Sequence, residues 1–252
     1  MKPNMKQTSL IACFLFVFSS ACYSETVSIS VIDWCPFICP DSQDRPGLLV
    51  EYTKAILKRS GHDIKLNDFP WSRAVKTVEE GSMDAVLAPA RSEAPTLMFP
   101  DEPIGTQRQC FFSLKESAWQ YDKPESVIGK KIIHPQDVLP EILMPFSEKA
   151  SFNSIQYSKH YIPRAISMLK ASRIDSILMT YYSMYDYLNK NQLSGLFTLS
   201  GCVASEDLFL AFTPALEKKD RVMRLMADFD QSIKALKKES FFEGLLLKYG
   251  LN

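Results

Sequence analysis

The sequence predicts an α/β fold built as two lobes that are joined by two extended crossings. Strands and helices alternate in the order β-α-β-α-β over the first hundred residues, which is typical of a layer with parallel strands. A second alternation of the same kind begins near residue 125, after a long extended stretch. The chain then returns through another extended segment near residue 207 and ends in two helices, so the first lobe is completed by the C-terminus.

The elements of the first lobe follow from hydrophobic spacing. The segment TVSISVID, from Thr26, alternates small polar with β-branched residues and predicts a strand. After a loop over 33–46, apolar residues at spacings of three and four predict a helix that stops at Gly61. Its apolar residues are Leu48, Leu49, Tyr52, Ala55 and Ile56. HDIKLNDF predicts a second strand, WSRAVKTVEEG a helix that ends at Gly81, and DAVLA a short buried strand.

The second lobe begins after an extended stretch from Ile104 to Lys115. ESVIGKKIIHP predicts a short helix, a glycine turn and a strand. Further helices are expected near 136–148, 161–171 and 181–192, with strands near 154–157 and 174–178. The extended segment DLFLAFT leads back to a long amphipathic helix and to a last helix that ends in KYG. The apolar face of the long helix comprises Val222, Leu225, Met226, Phe229, Ile233 and Leu236. The predicted lobes are 25–112 plus 205–252, and 113–204.

Composition excludes several classes of protein. With 252 residues, 46% of them apolar, the chain is long enough to bury a core, so a disordered chain is excluded. Lys and Arg together number 29, as do Asp and Glu, so no net charge attracts nucleic acid or anionic lipid. The nine glycines form neither a G-x-G-x-x-G nor a G-x-x-x-x-G-K-[ST] string, which disfavours nucleotide chemistry.

The N-terminus has the pattern of a secretory signal peptide over 1–24. Lys2 and Lys6 precede an apolar run that is too short to span a bilayer, and small residues follow it. Cleavage after Ala21 and cleavage after Ser24 fit equally, and a lipid anchor at Cys22 is a less favoured alternative. We therefore expect a periplasmic protein.

Four cysteines remain after the signal peptide, and an oxidising compartment favours two disulfides. Cys35 and Cys39 lie in the proline-rich segment DWCPFICPD, where a turn can bring the sulfur atoms together. Cys110 and Cys202 then pair by elimination, which requires the two crossings to run side by side. A zinc site is the competing interpretation, but the three histidines are scattered along the sequence.

A set of segments in a fixed order resembles a known family. The segments are RPGLLVEYTKAILKRSG, FPWSRAVKTVEEGSMDAVLA, LMFPDEPI, ESVIGKKI, AISMLKASRIDSILM and the helix ending in KYG. In order and spacing they resemble the bacterial extracellular solute-binding proteins of family 3, periplasmic receptors typified by polar amino-acid importers. The resemblance covers nearly the whole mature chain. It implies a clamshell of the type II periplasmic-binding fold, with a ligand bound between the lobes.

The sequence departs from the family at both ends of the amino-acid clamp. The family's carboxylate-binding Arg corresponds to Glu93 or Ala94 here, and the nearest Arg is Arg91. The family's ammonium-binding Asp corresponds to Thr180 or Tyr181.

Candidate ligand-binding residues follow from the rule that ligands bind at the carboxyl ends of strands and at helix N-termini. Trp34 and Phe37 offer aromatic faces, although packing on their own cysteine turn is an equal alternative. Trp71 begins a helix and could instead belong to the core. Arg91 follows the third strand, and a surface salt bridge is its alternative role. The full predicted set is Asp33, Trp34, Phe37, Trp71, Arg73, Arg91, Thr180 and Tyr181.

The function expected from these observations is that of a monomeric receptor for a small polar or aromatic-bearing solute. The resemblance implies an inner-membrane ABC permease as the partner, and a membrane sensor is the alternative partner. No cofactor, metal or nucleic acid is expected. A cleft enzyme, such as a dehydratase, stays open as a further alternative, with Asp33, Glu51 and Glu93 as acid or base candidates.

Overall fold

The computed structural model describes residues 25–136, 138–158 and 160–251, so the predicted signal peptide lies outside the described residues. The strands are β1 Thr26–Val31, β2 Asp63–Asp68, β3 Ala85–Leu87, β4 Gly105–Gln107, β5 Gln109–Leu114, β6 Lys131–Pro135, β7 Ser151–Ile155, β8 Ser176–Thr180, β9 Phe197–Cys202, β10 Glu206–Leu208 and β11 Leu210–Phe212. The helices are α1 Leu48–Arg59, α2 Trp71–Glu79, α3 Tyr161–Lys170, α4 Tyr181–Lys190, α5 Lys219–Lys238 and α6 Phe241–Tyr249.

The first lobe is a four-stranded sheet with the order β11-β3-β1-β2. β1 pairs in parallel with both β2 and β3, as the β-α-β-α-β pattern predicts, and β11 returns antiparallel to β3. The alternation in β1 buries Val27, Ile29 and Val31 completely, because successive side chains of a strand point to opposite faces. The apolar faces of α1 and α5 join the same core.

The second lobe is a five-stranded sheet with the order β7-β6-β8-β5-β9. β6 lies parallel to β7 and β8, whereas β5 is antiparallel to β8 and β9. The predicted lobe boundary at residue 112 falls inside β5, a strand of this second sheet.

Two extended crossings connect the lobes, as predicted. β4 and β10 form an antiparallel two-stranded pair between the two sheets. Cys110 and Cys202 lie opposite each other in the adjoining pair β5–β9 and form a disulfide, and Cys35 forms a second disulfide with Cys39. The disulfide interpretation of these four cysteines is therefore the one that the structure contains, rather than the zinc site.

Some predicted elements differ from the structure. The helix expected near 136–148 is only a 3-10 segment, Glu141–Phe146, because Pro140 and Pro145 lack the N–H groups that an α-helix needs. The strand expected at 154–157 is β7, which ends at Ile155, and the strand expected at 174–178 is β8, which ends at Thr180. No helix among residues 25–136, 138–158 and 160–251 is long and apolar enough to cross a bilayer.

Candidate functional site

The carboxyl ends of the parallel strands from both lobes face one cleft. β1 leads into Ile32 and Trp34, β2 is followed by Trp71, and β3 is followed by Ala88, all of which line a cavity. On the opposite wall Gln136 follows β6, Tyr157 follows β7, and Thr180 is the last residue of β8. Parallel strands of an α/β sheet present their carboxyl ends to ligands, so this cleft is the site that the topology itself favours.

The inner part of the cleft is a narrow, mostly apolar cavity of about 60 Å³. Its aromatic lining comes from Trp34, Trp71 and Tyr157, and its polar lining includes Glu93, Gln107, Gln109 and Thr180. The lobes touch beside it, because the ring of Phe37 meets that of Tyr182 edge-on with centroids 6.1 Å apart. A cavity of this volume is lined from both lobes and is large enough for the head group of a small solute rather than for a whole one.

The outer part of the cleft is a wider chamber of about 560 Å³ that shares Trp71 and Tyr157 with the inner cavity. Its charged lining residues within the described part of the chain are Asp33, Asp41 and Asp68. Burial, and then the carboxylate of Asp41, raise the pKa of Asp68. The chamber is therefore acidic.

Among the described residues that line the inner cavity, Glu93 is the charged one. Burial raises its pKa to about 7, and the nearby carboxylate of Glu206 adds to this effect. Two donors oppose the shift: the backbone N–H of Ala90 donates to Oε2 at 2.8 Å, and Nε2 of Gln107 donates weakly to Oε1 at 3.4 Å. The protein thus compensates the charge of Glu93 only in part.

Two further features mark the inner cavity as specialised. Burial, with the carboxylate of Asp33 adding to it, raises the pKa of the Tyr157 phenol well above its usual range, so Tyr157 is neutral at ordinary pH. Ala88 has a φ of 68°, a left-handed conformation that is strained for a residue with a Cβ atom. Such strain is often found at ligand sites.

The structure brings four of the predicted residues to the cleft. Trp34 is 8% exposed and Thr180 is 7% exposed, and both line the inner cavity. Trp71 lines both cavities, and Asp33 lines the outer chamber. Phe37 is buried behind Trp34, with ring centroids 4.7 Å apart, so it supports the wall of the cleft.

The other predicted residues lie elsewhere. Arg91 turns away from the inner cavity, because its guanidinium lies over the rings of Phe99 and Phe209, 4.9 and 4.4 Å from their centroids, and donates to the carbonyl of Pro100. Arg73 is exposed on α2 and lies over Phe69. Tyr181 packs on Phe112 in the second lobe. In this structure these three residues line neither cavity of the cleft.

Sequence reasoning missed Gln107, Gln109, Gln136 and Tyr157 as lining residues, and it considered Glu93 only as an acid or base and as a departure from the family clamp. The strand-end rule could have found Gln136 directly after β6. Tyr157 was placed inside a strand that in fact ends two residues earlier. Gln107 ends β4 and Gln109 begins β5, and nothing in their local sequence marks them as lining residues.

Comparison with known proteins supports the fold. No protein-family model matches the chain, and no curated sequence matches it. Among solved structures, a histidine kinase sensor domain with similarity to periplasmic binding proteins superposes with a TM-score of 0.71 at 18% identity, covering 89% of this chain and 95% of that one. An ABC uptake transporter substrate-binding protein from Streptococcus pneumoniae with bound histidine gives 0.70 at 14%, covering 89% and 92%. An ancestral amino acid-binding protein, a precursor of cyclohexadienyl dehydratase, gives 0.69 at 17%, covering 89% and 95%.

These superpositions establish the fold of the chain. It has the two-lobed α/β architecture of periplasmic-binding proteins, as the sequence predicts. The resemblance that rests on the sequence segments is therefore confirmed at the level of the fold.

Proposed function

We propose that the protein is a solute-binding receptor of the periplasm that captures a small polar or aromatic-bearing solute between its lobes and delivers it to an inner-membrane ABC importer. The observation that carries the proposal is the inner cavity, which both lobes line with the carboxyl ends of their strands. The protein is exported by the segment 1–24 and acts as a monomer. Binding energy stabilises the closed arrangement of the lobes.

The comparisons support both a transport role and a signalling role. One similar structure is the substrate-binding protein of an uptake transporter, and another is the sensor domain of a histidine kinase. The cleft serves either role, because in each the ligand-bound, closed protein is the form that the membrane partner recognises. We favour the importer because the sequence resemblance is to receptors of importers.

The test is to identify a ligand. Native mass spectrometry of the protein taken from its periplasm is expected to reveal a bound solute, and a thermal-shift screen of amines, amino acids, organic acids, sugars and small aromatics identifies its class. A ligand at about 100 times its dissociation constant stabilises the folded state by roughly 2.7 kcal/mol. A folded protein that carries no solute and responds to no compound of this panel would contradict the proposal.

Catalysis is the second candidate function, and Glu93 is the observation that favours it. A cleft carboxyl group whose pKa lies near 7 can exchange a proton at neutral pH. The similarity to a precursor of a dehydratase points in the same direction. Long incubation with excess ligand separates the two functions: a receptor returns the compound unchanged, whereas an enzyme converts many equivalents of it.

A further inference from the structure

We propose that the solute is an organic amine or guanidine that lacks a carboxylate, bound in the inner cavity by Glu93 and Gln109. This inference rests on the proposed function, because it names the class of ligand for the same cleft. It follows from four observations on the lining of the cleft: an incompletely satisfied carboxylate, an unpaired carbonyl oxygen, an aromatic wall, and the sign of the lining charges.

Glu93 supplies a carboxylate with spare acceptor capacity. An ionised carboxylate has two oxygen atoms with about four lone-pair sites. Within the described part of the chain, these atoms receive one good hydrogen bond, from the N–H of Ala90 at 2.8 Å, and one long one, from Gln107 at 3.4 Å. Gln107 also donates to Glu206 at 3.5 Å, so its amide is shared between two carboxylates. An ammonium group in the cavity would complete the coordination of Glu93 with charge-assisted hydrogen bonds.

Gln109 supplies a buried acceptor that no described residue satisfies. Its side chain is 4% exposed and lines the inner cavity. Its Nε2 donates to the carbonyl oxygen of Val138 at 3.1 Å, which fixes the orientation of the amide because a carbonyl needs a donor opposite it. The other end, Oε1, has no hydrogen-bond partner among the residues that the structure describes. A buried acceptor without a donor is costly, and a ligand N–H group would satisfy it.

The aromatic lining suits a cation. Trp34, Trp71 and Tyr157 all line the inner cavity, and aromatic rings attract ammonium and guanidinium groups through the negative potential of their faces. Because Tyr157 stays neutral, it does not add a formal charge. A methylene chain or an aromatic ring of the ligand would also bury its apolar surface against these side chains.

The charges of the cleft argue against a ligand carboxylate. No described residue that lines either cavity is Lys, Arg or His, whereas Glu93 lines the inner cavity and Asp33, Asp41 and Asp68 line the outer chamber. Arg91 lies over Phe99 and Phe209, which line neither cavity, whereas Arg73 lies over Phe69, a lining residue of the outer chamber, but does not itself line either cavity. A carboxylate in this cleft would meet like charges, while an ammonium group would be attracted throughout.

The experiment compares amines with the amino acids that differ from them by a single carboxylate. Agmatine with arginine, cadaverine with lysine, and tyramine with tyrosine are titrated into the mature protein by calorimetry at pH 8. We expect at least one amine to bind about tenfold or more tightly than its parent amino acid, which corresponds to about 1.4 kcal/mol. Equal or tighter binding of the amino acids would overturn the inference and leave the receptor function standing.

If none of the three amines binds, the inference is also overturned. A second panel, of neutral sugars and organic acids, then tests the receptor function. If neutral sugars or organic acids bind instead, the protein remains a receptor for another class of solute. If nothing binds to the folded protein, both proposals fail.

Two matched variants locate the interaction. Glu93→Gln keeps the shape of the side chain and removes its charge, and we expect it to weaken amine binding by about 10- to 100-fold. Glu116→Gln is the control, because Glu116 is exposed and lines neither cavity. Its amine affinity should stay within about twofold of the parent's. A Glu93→Gln variant that is folded and binds amines as tightly as the parent would remove Glu93 from the site.

Discussion

Asp84 directly precedes the short strand β3 and Glu93 follows its end by six residues, and the surroundings of the two carboxylates differ. Asp84 precedes the strand and is 5% exposed. It accepts hydrogen bonds from the backbone N–H and the hydroxyl of Ser28 at 2.9 and 2.7 Å, and it pairs with Lys218 at 3.1 Å and with Arg221. Despite burial, which raises it, the pKa of Asp84 falls to about 2 through these partners. Glu93 follows the strand and has a pKa of about 7.

The difference separates a structural carboxylate from one that is available to a ligand. Both groups are desolvated, and desolvation alone disfavours the charged form of each. The protein compensates Asp84 with two cations and a serine that tie β1, β3 and α5 together at the closed end of the first lobe. It leaves Glu93 at the open end, beside the cavity, without any cation among the described residues that line the cavity. The compensating charge for Glu93 is therefore expected to arrive with the solute.

The largest effect on stability is expected for Asp84, the structural carboxylate that precedes β3. Asp84→Asn should lower the free energy of unfolding by about 3 kcal/mol, because it leaves Lys218 and Arg221 without their shared carboxylate. Urea denaturation at pH 7 measures the loss. The folded-state pKa lies below the unfolded value of 3.8, so the stabilisation is present above about pH 4 and disappears as the pH falls towards 2. A variant as stable as the parent at pH 7 would contradict the structural role of Asp84.

Glu93→Gln should change the stability of the ligand-free protein in the opposite direction to Asp84→Asn. The folded-state pKa of Glu93 lies above its unfolded value of 4.5, so its contribution to stability is present below pH 4.5 and is lost as the pH rises through 7. The variant should therefore be more stable than the parent by about 1–3 kcal/mol at pH 8 and equal to it at pH 4. Thermal unfolding at the two pH values checks this. A loss of stability at pH 8 would show that the protein already satisfies the Glu93 charge.

A substitution of Trp71 tests whether the aromatic side chains that line the cleft bind the solute. Trp71→Leu should weaken binding of the solute by about tenfold, because it removes an aromatic face that lines both cavities. Arg73→Ala on the same helix is the control and should bind like the parent, since Arg73 is exposed and lies over Phe69. Calorimetry on both variants decides, and equal affinities would mean that Trp71 serves only as packing.

The smallest effect is expected for Arg91. Arg91→Ala should leave the affinity for the solute within about twofold and lower stability by about 0.5–1 kcal/mol, the value of its contacts with Phe99 and Phe209. Calorimetry and urea denaturation measure the two quantities. A loss of affinity of tenfold or more would return Arg91 to the site and undercut the account of an acidic cleft.

The sequence predicted the fold well because the fold depends on local patterns in a fixed order. The parallel arrangement of β1, β2 and β3, the two crossings and the pairing of Cys110 with Cys202 follow from that order. The helix expected near 136–148 was wrong, because Pro140 and Pro145 cannot donate backbone hydrogen bonds of an α-helix.

The site was harder to predict because it depends on contacts between distant segments. Arg91 and Glu93 are two residues apart after the same strand, and nothing local determines which of them faces the cavity. The choice follows from Phe99 and Phe209, which hold the guanidinium, and from Gln107, which meets Glu93 across the crossing. Such contacts exist only in the folded chain.

The most direct test of the account is a carbon-13 NMR titration of the Glu93 and Asp84 carboxyl groups, without ligand and with the tightest-binding amine of the panel in excess. Without ligand, Glu93 is expected to titrate near pH 7 and Asp84 near pH 2. With the amine, the pKa of Glu93 should fall by about one unit or more, while that of Asp84 stays unchanged. A Glu93 pKa that ignores the amine, or that lies at 4.5 in the empty protein, would contradict the claim that this carboxylate is reserved for a cationic solute.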